Sequence, residues 1–195
     1  MKIVPIILAA GSAERLGFPQ ALARFGRRTA LEIAVANCRG LARPIVVLGD
    51  RAEEIRKTAP RGVRVVVNRR WREGMLGSLL AALRHVPANA AFLIYPVDHP
   101  GIGRRLVERL SRAFAARKPG ELIVMPRRGK RSGHPVIFGP ELRRELHAAR
   151  TAREVSYRDA ARVRYVPVRS GAIFEDFDSP ASYRRLMKKW RTASS

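Results

Sequence analysis

The chain has 195 residues, 46% of them hydrophobic, and its 39 Lys and Arg against 16 Asp and Glu give a formal charge of +23. That length fits one domain over residues 1–191 with a frayed tail at 192–195, and the apolar content suffices for a core without metals or disulfides. A lone cysteine, Cys38, excludes an internal disulfide and accords with a reducing, cytoplasmic setting; the opening apolar run is too short for a secretory signal, and no stretch approaches the roughly 20 apolar residues of a membrane span.

In chain order, Ile3–Leu8 is an apolar strand despite Pro5, which offers the ladder no donor. Thr29 caps a helix carrying Leu31, Ile33, Ala34, Val35 and Cys38 that stops at Gly40. Pro44–Leu48 is the next strand. Asp50 and Glu53 have the capping-box spacing for a short helix to Lys57. Val63–Val67 is a strand, and Met75–Val86 has helical periodicity. Ala90–Tyr95 is a strand, Gly103–Arg117 a helix and Glu121–Met125 a strand. Pro126–Ser132 reads as a mobile basic loop. Pro135–Phe138 and Pro140–Ala149 are a strand and a helix, and Thr151 and Glu154 repeat the capping box. Arg162–Val168 and Ala172–Asp176 are late strands, and Ser179-Pro180 opens a last helix to about Arg191.

Such alternation predicts an α/β fold: a largely parallel sheet with helices on both faces, and ligands at the carboxyl ends of the strands. The charge attracts polyanions, from nucleotides and phosphorylated cofactors to nucleic acid. Basic residues run along the whole chain, however, and aromatics are 7%, a pattern that disfavours a dedicated nucleic-acid binder. One cysteine and four scattered histidines leave no nucleophile triad and no zinc spacing.

The chemistry-bearing residues lie past predicted strand ends. Ala9, Ala10 and Gly11 are small enough for backbone N–H groups to approach a triphosphate, and Arg15 offers forked donors to a phosphate oxygen. Asp98, in Pro-Val-Asp-His-Pro, is a strand-end carboxylate suited to Mg²⁺ beside bound phosphate; the helix near Gly103 is too distant for Asp98 to cap it. Glu175-Asp176-Phe177-Asp178-Ser179-Pro180 holds further carboxylates. Asp178 either serves a metal or caps the last helix, whereas Asp176 reads as structural. Ser78 lies in the first turn of a helix, where a hydroxyl and free amides suit a base edge or a phosphate. Arg127, Arg128, Lys130 and Arg131 either face solvent or contact an anionic acceptor.

These segments resemble, in order and spacing from Ile3 to about Leu186, the MobA-like nucleotidyltransferases. Leu8-Ala9-Ala10-Gly11 through Gln20 is similar to the family's LAAGxSxRMGxxK loop. Asp98 and Pro100 match its metal-binding DxP, with His99 between them as a substrate contact. Asp178 matches the second metal ligand of its late D-x-D-T/S-P turn. Asn68, Trp71, Gly74, Met75 and Ser78 match an NxxWxxGMxxS element flanking the base. Gly133 and His134 open a GHPVxF strand that faces the acceptor. The resemblance implies a three-layer, Rossmann-like nucleotidyltransferase fold. It also implies Mg²⁺-dependent transfer of a nucleoside monophosphate from a nucleoside triphosphate to a phosphorylated acceptor, with pyrophosphate released. Molybdopterin, a sugar phosphate and a polyol phosphate are all open as acceptors. Ala10 replaces the glycine of guanylyl-transferring relatives, which places the chain nearest the molybdenum cofactor cytidylyltransferases and favours CTP over GTP.

Two positions depart from the pattern. Ala13 replaces a common serine. Gln20 replaces the lysine that grips the triphosphate. Gln donates without charge, and a donor of that kind is worth about 10²–10³ in rate. Three outcomes stay open: a slow enzyme, replacement by Arg24 or Arg27, or a protein that binds nucleotide as a sensor without turnover.

Overall fold

The computed structural model describes residues 1–193. In chain order the elements are β1 (Ile3–Ala9), β2 (Arg24–Phe25), β3 (Arg28–Thr29), α1 (Ala30–Asn37), β4 (Ile45–Leu48), α2 (Ala52–Lys57), β5 (Arg64–Val67), α3 (Met75–Leu83), β6 (Ala91–Pro96) and α4 (Arg104–Ala115). They continue as β7 (Ile123–Arg128), β8 (Arg131–Ser132), β9 (Val136–Phe138), α5 (Arg143–Ala148), α6 (Ala152–Tyr157), β10 (Val163–Pro167) and α7 (Pro180–Ala193). The main sheet has the order β10-β7-β9-β6-β1-β4-β5, with β8 paired to β7. Its β1, β4, β5 and β6 are mutually parallel, β10 runs parallel to β7, and β9 is antiparallel to both β6 and β7.

Strand alternation builds the three layers. Ile3, Ile7 and Ala9 of β1 face a core shared with Leu31 and Ile33 of α1, Leu110 and Phe114 of α4 and Leu186 of α7. Val4, Ile6 and Leu8 face the opposite core with Leu79 and Leu83 of α3 and Leu146 of α5. Burial on both faces explains the unbroken apolar runs of β4 and β6. Burial pushes the Cys38 thiol up to about 12, so that side chain is an inert core group. No helix among the described residues is long and apolar enough to cross a membrane.

Four local expectations change. The Asp50–Glu53 box does not form. Arg51 precedes α2 at φ 51 without a side-chain cap, and the Asp50 carboxylate instead accepts the Ala13 N–H at 2.9 Å. The basic run is an ordered hairpin, with Arg127 opposite Ser132, Arg128 opposite Arg131, and Gly129 at φ 58 in the turn. Two of its guanidinium groups stack on rings: Arg127 over Tyr165 at 4.4 Å and Arg131 over Phe174 at 4.5 Å. Residues 171–174 form a 3₁₀ turn rather than a strand, because Ser170 caps it by accepting from Ala172 N–H at 3.1 Å. Finally, α7 continues through Ala193, so the expected tail is helical at 192–193; residues 194 and 195 lie outside the described residues.

Candidate active site

Two cavities open along the carboxyl ends of the central strands and meet at Asp98. The first, about 450 Å³, is bounded by Leu8, Ala10 and Gly11 past β1, Gln20, and Gly74 and Ser78 at the start of α3. The second, about 640 Å³, is lined by His99, Gly133 and His134 together with apolar groups such as Met125, Val136 and Phe174. Gly74, Met75, Pro96 and Asp98 border both.

Several long-range contacts shape the first wall. The first loop is pinned from β4 by the Asp50–Ala13 bond. A Cβ at Gly49 would lie 2.5 Å from Ala10 O and 2.6 Å from Trp71 Cβ, so only glycine admits this approach of loop and indole. Gly74, at φ 106, turns the chain into α3 and leaves the helix N-terminus facing the cavity. Asn68 Nδ2 donates to Ser78 Oγ at 3.0 Å, and its Oδ1 accepts from Arg70 N–H. Asn68 therefore positions Ser78 and is not itself part of the wall, and the Ala9 side chain packs into the core.

Asp98 follows β6, the central strand beside β1, so the sheet itself delivers its carboxylate to the seam. Its Oδ1 lies 2.7 Å from His99 Nδ1, and its side chain is 25% exposed. Its other oxygen has no partner among the described residues. A single hard carboxylate oxygen at the meeting of two ligand cavities suits Mg²⁺, which takes few protein ligands and completes its shell with phosphate oxygens and water. Asp178 lies outside both walls and pairs with Arg15 at 2.8 Å. Ser179, rather than Asp178, caps α7: its Oγ accepts from Ser182 N–H at 3.3 Å. Arg15 and Asp178 are thus brought together, but not into the cavity lining. No group of three or more His, Cys, Asp or Glu able to hold a metal occurs among the described residues.

Gln20 borders the first cavity, and its amide donates to Phe177 O at 2.5 Å. Phe177 is fully buried among Phe25 and Tyr183, so this bond ties the first wall to the Asp178 turn. Arg24 and Arg27 lie on the exposed β2–β3 hairpin and contribute to neither cavity. Several charged wall residues have no counterpart in the sequence reading, Glu14, Glu73, Arg150 and Arg153 among them. Arg72 lines the first cavity, and Asp176, read there as structural, lines the second. Neither carries a local signal, since which face an exposed turn residue presents is set by distant packing.

In the second cavity, His134 Nδ1 is buried without a partner, and its ring stands 5.2 Å from that of His99. Burial above all, with the neighbouring His99 adding to it and Asp98 opposing it, lowers His134 to about 4. The ring is therefore neutral near pH 7. At Gly133 a Cβ would clash with Ile173 O, so glycine here permits the close approach of the 171–174 turn to this wall. Arg131 over Phe174 and Arg153 over Tyr157 add planar, cationic surface at the rim.

Comparison with known proteins agrees with this arrangement. The MobA-like NTP transferase domain matches residues 5–166. The chain is 32% identical over 152 residues to nicotine blue oxidoreductase of Paenarthrobacter nicotinovorans, covering 72% of each chain. The crystal structure of Rv0371c from Mycobacterium tuberculosis H37Rv superposes with a TM-score of 0.81 at 28% identity, covering 96% of this chain and 97% of that one. The manganese complex of Rv0371c gives 0.79 at 27% identity over 96% of this chain and 99% of that one. With a domain match over most of its length on a sheet that carries the family's loops at its strand ends, the chain belongs to the MobA-like NTP transferase family.

Proposed function

We propose that this protein is a Mg²⁺-dependent nucleotidyltransferase that moves a nucleoside monophosphate, CMP in preference to GMP, from the triphosphate to a phosphorylated acceptor. The observation that carries this reading is the pair of adjoining cavities with Asp98 on their shared border. Nucleotide occupies the first, with its phosphates along Leu8–Gly11 and the start of α3. The acceptor occupies the second. Its terminal phosphate oxygen attacks the α-phosphorus, the bond to the β-phosphate oxygen breaks, and pyrophosphate departs. No covalent enzyme intermediate is needed, so the protein acts by positioning two anions and balancing their charge.

Asp98 would hold Mg²⁺ at the seam, and with their exposed pairing opened Asp178 would add a second carboxylate and Arg15 a phosphate contact. That pairing is weak enough to exchange, because the two side chains are 76% and 42% exposed. When bound, Mg²⁺ neutralises phosphate charge as the leaving group develops. The manganese complex of Rv0371c supports a divalent-cation site in this fold. His99 orients the Asp98 carboxylate, and neutral His134 offers a hydrogen bond to the acceptor. The apolar, ring-lined second cavity with arginines at its rim suits an acceptor that combines a planar ring system with an anion, as molybdopterin does. The lone, buried Cys38 agrees with a cytoplasmic setting.

Pyrophosphate release, screened with four nucleoside triphosphates, Mg²⁺ and a panel of phosphorylated acceptors, tests the reading. CTP should turn over fastest. GTP turnover equal to or above it would remove the inference from Ala10. The 32% identity to a protein named an oxidoreductase favours a second reading, in which the nucleotide cavity holds a redox cofactor and the second cavity a reducible ring compound. Oxidation of a reduced nicotinamide without pyrophosphate release would select it.

A further inference from the structure

Nucleoside triphosphate is strongly anionic, yet the first cavity's wall is poor in cations. Arg72 is the one Lys or Arg among its described lining residues, which also include the carboxylates Glu14 and Asp98. The other candidates are committed or distant. Gln20 is uncharged, and one of its two amide N–H donors goes to Phe177 O. Arg15 is paired with Asp178, and Arg24 and Arg27 lie outside the lining.

Arg72 is placed and available. It sits in the turn Trp71–Glu73, with its guanidinium carbon 4.4 Å from the centroid of the Trp71 ring. Trp71 is itself wedged against Gly49, where no Cβ would fit. Stacking on a fixed ring restricts the long side chain while leaving its N–H fork free for an anion. The adjacent Glu73 pairs with Arg70 at 3.6 Å, and no carboxylate pairs with Arg72 among the described residues.

From these contacts we infer that Arg72 is the cation that holds the triphosphate in this chain, supplying from beside Trp71 the charge that Gln20 lacks in the same cavity. Gln20 serves instead as a tie between the first wall and the Asp178 turn. This inference rests on the nucleotide reading above.

Calorimetric titration of Mg-CTP and Mg-CMP into the native protein and the variants Arg72→Gln, Arg72→Lys and Gln20→Lys/Arg72→Gln tests it. Arg72→Gln should weaken CTP about tenfold, the low end for a hydrogen bond to a charged group, and change CMP less than about threefold. The loss should shrink at high salt, because Arg72 is exposed and its field is screened. Arg72→Lys should keep most of the affinity, and Gln20→Lys should restore it in the Arg72→Gln background. Unchanged CTP affinity in Arg72→Gln would overturn the inference. So would equal losses for CTP and CMP, or failure of Gln20→Lys to compensate. Failure of the native protein to bind any nucleoside triphosphate would instead overturn the nucleotide reading itself. Arg72 is on the surface, so an unchanged melting temperature should accompany each Arg72 variant.

Discussion

The two cavities share a border but are made differently. The first combines small residues and exposed backbone, at Ala10, Gly11, the turn at Gly74 and the start of α3, with a few larger side chains such as Gln20, Trp71 and Arg72. The second is a wall of side chains, with rings, aliphatic groups and a neutral buried histidine. Phosphates are much alike from one nucleotide to another and are bound by amides that any sequence supplies, provided nothing obstructs them. Acceptors differ in shape, and shape is matched by side chains. On the proposed reading, the first cavity therefore receives the nucleotide phosphates, whereas the second discriminates among acceptors.

Substitution at the shared border tests both halves at once. Asp98→Asn should leave the fold intact and reduce pyrophosphate release by about 10² or more, since the metal's charge stabilisation is lost for nucleotide and acceptor together. Near-normal release would remove Asp98 from the reaction.

The second wall should betray itself in acid. His134 is lowered from 6.5 to about 4, mainly by burial, with His99 and Asp98 the facing titratable groups. The unfolded chain then binds the proton more readily than the folded one. His134 thus contributes stability that is fully present above about pH 6.5 and is lost as pH falls towards 4, about 3 kcal/mol at most. Urea denaturation at several pH values should show this slope in the native protein and a flatter one in His134→Asn. Identical slopes would show that His134 is more hydrated than its burial implies.

Two glycines separate the walls by experiment. In Gly49→Ala the added methyl displaces Trp71 or the first loop, so nucleotide affinity should fall about tenfold, and the strain of overpacking should lower stability by about 1–3 kcal/mol. Gly133→Ala should instead raise the acceptor KM about tenfold through movement of the 171–174 turn, with nucleotide affinity preserved. If both variants alter both ligands alike, the cavities act as one site. The smallest effect is expected at Asp178→Asn. The exposed ion pair with Arg15 is worth about 0–1 kcal/mol, so the melting temperature should hardly move, while Mg²⁺ affinity in the presence of nucleotide should weaken. A drop in melting temperature without a change in Mg²⁺ affinity would make Asp178 a structural residue.

The sequence by itself determined the strand–helix rhythm, the chain positions of the loops and the identity of the family. These depend on local pattern: apolar runs of strand length, Thr29 as a helix cap, and small or proline-stiffened segments after strands. Only the tertiary structure decided how distant side chains are employed. Asp50 had the spacing of a helix cap, yet it serves the loop 37 residues earlier. Gln20 looked like a missing phosphate ligand, yet its amide holds a carbonyl 157 residues away. The basic run at 126–132 looked mobile, but ring stacking and strand pairing order it. Arg72 carried no motif, and it lines the first cavity, stacked on a Trp71 that packs against Gly49. A hydrogen-bonding or charged side chain is satisfied by whatever partner the packed chain brings within about 3 Å, and sequence spacing limits that partner only within a turn or two of helix.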